Sequence, residues 1–134
     1  MYVDLDLVRR VEYSATEFCV RHAAALARVS PNSSAAAQEC DGGALIAFGP
    51  GRYVNRAMGL GFGGSPAADV VHATSRFYAA RAMPASAEVG PWVDSELVVA
   101  LATAGFQLER FRNVYVHDLV SFPEATVADI QPVD

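Results

Sequence analysis

Residues 42–64 read GGALIAFGPGRYVNRAMGLGFGG, and the alternation inside this stretch sets the expected fold. At the two-residue period of a strand, Val54, Arg56, Met58, Leu60 and Phe62 point one way and are all large. Asn55, Ala57, Gly59, Gly61 and Gly63 point the other way, and beyond Asn55 that face carries almost no side chain. Glycine weakens a strand interior, so three in register imply that a backbone or a ligand comes close to that face. Upstream, the apolar run 44–48 has the pattern of a strand covered on both faces. Gly49-Pro50-Gly51 is a turn, and Asp41-Gly42-Gly43 is a tight hairpin signal behind a short strand at 35–40. Three strands joined by two short turns predict an antiparallel meander.

Outward from the meander, Asp4 or Asp6 caps a first helix that runs to about Arg28. Val8, Val11, Ala15, Phe18, Cys19, His22 and Leu26 form its apolar stripe, with Ser14–Thr16 as the place for a kink. On the other side, Ser65-Pro66 predicts a helix start, Ser as cap and Pro at the first helical position, with the helix continuing to about Arg81. Its buried face is Ala67, Val70, Val71, Thr74, Phe77 and Tyr78. A short strand at 85–89, a third helix capped by Asp94 or Ser95 and closed by Gly105, and a strand over 106–119 complete the order. The expectation is an α/β (α+β) fold: a mixed sheet, three antiparallel strands followed by α-β-α-β, with helices on both faces.

Composition bounds the function. A chain of 134 residues, 52% hydrophobic and 19% charged, predicts one compact domain without need of disulfides or metal. Net charge is −5, and the ten basic residues are all arginine and scattered, which argues against a nucleic-acid partner. Cys19 and Cys40 have neither disulfide-scaffold nor zinc spacing, and His22, His72 and His117 lie too far apart in sequence to predict a metal site. No apolar run approaches the roughly 20 residues needed to span a bilayer, and the acidic N-terminus is unlike a signal peptide. The chain reads as soluble and cytoplasmic.

The succession of elements, with a glycine-rich step from the third strand into a helix, resembles the GNAT N-acetyltransferase family over nearly the whole chain to about Leu119. Residues 94–106, DSELVVALATAGF, look like the family's late helix, which ends in a Gly-Phe pair, here Gly105-Phe106, with Asp94 at the place of its leading Asn. Val54-Asn55-Arg56 followed by alternating glycines is similar to the N-terminal halves of two-domain bacterial members. The resemblance implies a GNAT-like domain over 1–120, with 121–134 as a C-terminal tail or linker toward a second domain. It also implies acetyl-CoA as cofactor, direct acyl transfer to a small-molecule amine, and a second GNAT domain or a homodimer as partner. Pyrophosphate would rest on the N-terminus of the central helix, where unpaired amides and the helix dipole favour anions, which makes Gly61, Gly63, Gly64 and Ser65 the cofactor-binding candidates.

Two departures from the family pattern bear on activity. Residues 56–61 satisfy the family's R-x-x-G-x-G signature literally, but they lie several residues before the helix start. The loop 62–65 is better placed and has no Arg. The position of the usual thiolate-protonating Tyr is Leu101, which cannot donate a proton, so Tyr115 or Tyr78 would have to substitute. Glu88, near the end of a short strand, is where a general base could reach an amine, or else an exposed edge carboxylate. Two functions follow: an acetyl-CoA-dependent N-acyltransferase domain, or a non-catalytic GNAT-like module that is half of a two-domain enzyme or a stand-alone interaction domain. A small-ligand sensor using the same cleft is a third.

Overall fold

The computed structural model describes residues 4–116, and the parts of the strand 106–119 and the tail 121–134 beyond residue 116 lie outside them. Helix α1, Leu5–Val29, is one continuous helix through Ser14–Thr16. Asp4 caps it by accepting a hydrogen bond from the Leu7 amide at 2.8 Å. A 3-10 turn at Pro31–Ser33 leads into strand β1, Ala36–Cys40. The hairpin to β2, Gly43–Ala47, turns on Asp41 and Gly42, whose φ values of 50° and 81° are the pair that a two-residue mirror-image turn requires. Strand β3, Arg56–Met58, pairs antiparallel with β2, so the sheet order is β1-β2-β3.

The third strand is much shorter than the alternation predicts. Gly59 and Gly61 have φ of 65° and 89°, which lies outside strand geometry, so the chain leaves the sheet after Met58 and coils into a loop. At the entry end, Asn55 is buried and fixes the turn. Its Oδ1 accepts from the Phe48 amide and its Nδ2 donates to the Gly49 carbonyl, each at 2.7 Å. What approaches the glycines is the protein itself. A Cβ on Gly43 would lie 2.1 Å from the Met58 carbonyl oxygen, so only glycine lets β2 and the start of the loop cross at this distance.

The predicted strand at 85–89 exists as a single parallel bridge, Ala57 to Ala87, held by Ala57 N–H donating to Ser86 O and Glu88 N–H donating to Ala57 O, each at 2.8 Å. No strand forms over 106–116, where the chain is exposed and irregular. The result is a mixed α+β fold with helices on both faces of a small sheet. On one face Leu45, Ala47, Ala57 and Leu60 pack against α2, Ala67–Ala79, and α3, Ser95–Thr103. On the other, Ala44, Ile46 and Met58 pack against Ala23, Cys19 and Val20 of α1. This is why β2 is buried along its whole length, as its unbroken apolar run predicts.

Helix α2 presents the face expected of it, whereas α3, expected to present Leu97, Val98 and Leu101, buries only the first and last. Val70, Val71, Thr74, Phe77 and Tyr78 are buried on α2, as are Leu97 and Leu101 on α3, while Val98 is exposed. Asp94 caps α3 by accepting from the Glu96 amide at 2.9 Å. Helix α2 starts differently from the sequence expectation: Pro66 is its N-cap, no side chain caps it, and Ser65 lies one residue further out. Tyr78 locks α2 to the sheet. Its hydroxyl donates to Ile46 O at 2.9 Å and accepts from Ile46 N at 3.2 Å, so it takes both backbone groups of a central β2 residue.

Candidate functional site

The loop between β3 and α2 is a concave run of backbone amides, the arrangement that binds anions in many proteins. Here it already holds one. Asp41, from the β1–β2 turn, places Oδ2 2.9 Å from the Gly61 amide and Oδ1 2.8 Å from the Ser65 amide. Its backbone carbonyl accepts from Gly63 N at 2.9 Å and Phe62 N at 3.3 Å. Four of the amides that face this turn are therefore committed within the chain. A Cβ on Gly63 would lie 2.5 Å from the Asp41 carbonyl carbon, which leaves no space for a ligand between them. Of the cofactor-binding candidates, Gly61, Gly63 and Ser65 donate to Asp41, whereas Gly64 faces open space. Ala67 and Ala68, at the start of α2, have amides without partners among the described residues, and Asp69 adds a carboxylate in that first turn.

A second site gathers charges from four parts of the chain. Glu88, beside the Ala57–Ala87 bridge, is an ion-pair hub: Oε2 lies 3.4 Å from Arg56 Nε of β3, and Oε1 accepts from Arg112 Nη2. The Arg56 contact is an ion pair only, since Nε is buried with no hydrogen bond. Glu12, on α1, faces the same group. Burial first, and the charge of Glu88 second, push its carboxyl above the ordinary value, and Arg112 opposes them. A cavity of about 420 Å³ opens beside Glu12, bounded by Val11 and Ala15 of α1 and by Arg112, Asn113, Val114 and Tyr115. A smaller one of about 210 Å³ adjoins it between α1 and the glycine loop, next to Gly59 and Phe62.

The structure thus brings the two catalytic candidates toward one place, Tyr115 on the cavity wall and Glu88 behind Arg112, and engages Glu88 with two guanidinium groups. Tyr115 is 89% exposed. Tyr78 is wholly buried, and that burial pushes its phenol far above its usual value, so its proton stays on the hydroxyl that ties α2 to Ile46. Leu101 is 7% exposed and belongs to the core between α2 and α3. Among the described residues no group of three His, Cys, Asp or Glu side chains is placed to hold a metal ion, and no helix is long and apolar enough to cross a membrane.

Sequence reasoning missed Asp41, Glu12 and Arg112. Asp41 is visible in the sequence only as a hairpin residue, and Glu12 and Arg112 belong to no sequence motif. No family model matches the chain, and no curated protein or solved structure is significantly similar to it.

Proposed function

We propose that this chain is a GNAT-like domain that serves as the cofactor-free half of an acetyl-CoA-dependent N-acyltransferase, with acyl transfer to an amine carried out by a companion domain. The observation that carries this reading is the Asp41 carboxylate seated on the Gly61 and Ser65 amides. A pyrophosphate at that loop would have to displace an anion tethered by the chain itself, with the Asp69 carboxylate in the first turn of α2 as further repulsion. Leu101 supports the same division of labour, since a core leucine supplies no proton to a leaving thiolate.

The segment after α3 suits the companion. Phe111 is 86% exposed, Leu108, Val114, Tyr115 and Val116 are exposed too, and past Phe106 no backbone hydrogen bond is made up to residue 116 among the described residues. Exposed β-forming side chains on an unpaired backbone favour pairing with a second GNAT domain or a second copy of the chain.

Acyl transfer by this chain itself is the second reading, favoured by the unpartnered Ala67 and Ala68 amides and by the Glu12 carboxyl, whose proton affinity burial raises. Titration of isotopically labelled protein with acetyl-CoA separates the two. The cofactor-free reading expects no saturable change at Gly61, Gly63, Ser65, Ala67 or Ala68. Saturable shifts at those amides in the unaltered chain overturn it.

A further inference from the structure

We propose that the cavity beside Glu12 is a binding site for a small zwitterion of amino-acid size, its ammonium held by Glu12 and its carboxylate by Arg112. This goes beyond the reading above and needs neither cofactor nor companion domain. The cavity measures about 420 Å³, room for one such molecule with water around it. Among the described residues the Glu12 carboxylate has no hydrogen bond and no ion pair, although it is half-buried. A carboxylate in that setting gains from an ammonium partner, and the raised proton affinity of Glu12 reports the same deficit. Arg112 spends Nη2 on Glu88, and a guanidinium has further donors to offer a second carboxylate.

Charge balance selects the ligand class. Glu12 and Glu88 against Arg56 and Arg112 sum to zero, so a ligand of single charge leaves the cluster unbalanced, whereas one carrying both signs does not. Arg9 also lies on α1 near Glu12, but its guanidinium is directed at the Phe62 ring, 5.9 Å from the centroid, on the side of the smaller cavity. Beside Asn113 and Tyr115, Val11, Ala15 and Val114 give the cavity an apolar part of its wall, which suits an aliphatic side chain.

The probe is L-leucine, titrated into isotopically labelled chain, against leucinamide, which lacks the carboxylate, and 4-methylpentanoate, which lacks the ammonium. A ligand of this size in an open site binds in about the millimolar range. Saturable amide shifts are expected over residues 11–15 and 112–115, with each single-charge analogue weaker by about fivefold, as suits ion pairs open to solvent. Glu12→Gln, which keeps the shape of the side chain, should weaken leucine by a similar factor and leave 4-methylpentanoate bound at least as well, since it removes a like charge. Absence of saturable shifts with leucine overturns the proposal. So does equal binding of the three probes, or a Glu12→Gln variant that binds leucine as the parent does.

Discussion

Replacing Asp41 by Asn removes the charge from the glycine loop while keeping the side-chain shape, and Asn tolerates the φ of 50° that the turn imposes. Asp41 accepts two amide hydrogen bonds, at 2.9 Å from Gly61 and 2.8 Å from Ser65. Hydrogen bonds to a charged group contribute about 1.5–3 kcal/mol each when shielded and less where water can replace them. Ser65 is exposed and Gly61 only half-buried, and Asn retains one acceptor oxygen, so the expected loss is about 1–2 kcal/mol. Asp41→Ala loses both acceptors and leaves at positive φ a residue that tolerates the left-handed region less well than Asp or Asn, which adds about 1 kcal/mol and brings the loss to about 3 kcal/mol. With about 2.1 cal/mol/K of unfolding entropy per residue, 134 residues give ~0.28 kcal/mol/K. Asn should therefore lower Tm by about 4–7 °C and Ala by about 10 °C. Thermal melts supply the magnitude, and hydrogen exchange at the Gly61 amide supplies the location. An Asn variant that melts within about 1 °C of the parent, with unchanged Gly61 exchange, refutes the claim that this carboxylate holds the loop.

Three further outcomes follow from the same geometry. Tyr78→Phe should cost about 1–3 kcal/mol in denaturant unfolding, because it removes the two buried hydrogen bonds that tie α2 to Ile46. Gly43→Ala should cost at least about 3 kcal/mol or abolish soluble folding, seen by circular dichroism, since its Cβ meets backbone at 2.1 Å with no side chain to yield. The raised Glu12 carboxyl binds its proton more tightly folded than unfolded, so its contribution to stability is fully present in acid and is lost as pH rises from the ordinary value of 4.5 through the raised one. Relative to Glu12→Gln, the parent should lose stability over that interval and change no further above it, measured by melts across pH.

Much of the fold was legible because it rests on local patterns. The cap at Asp4, the paired positive-φ turn at Asp41-Gly42 and the buried stripe of α2 each depend on neighbours within a few residues. The length of the third strand was not. Alternation continues through Gly59, Gly61 and Gly63 whether those residues are extended or left-handed, since glycine takes either backbone with little cost, so periodicity could not place the end of β3 at Met58. The predicted strand over 106–116 fails for a related reason. Its residues favour a sheet, and among the described residues no neighbouring strand receives it.

From sequence alone, the stretch 42–64 determined that a meander would turn on glycine, that its middle strand would be covered on both faces, and that something would press against the small residues. Only the tertiary structure decided what presses there. The Met58 carbonyl lies against Gly43 and the Asp41 backbone against Gly63, and the Asp41 side chain takes the Gly61 and Ser65 amides of the loop before α2. Glu12, Arg56, Glu88 and Arg112 come together across a hundred positions of sequence for the same reason. Local periodicity encodes which way a side chain faces, and only the packed chain decides which distant charge it will meet.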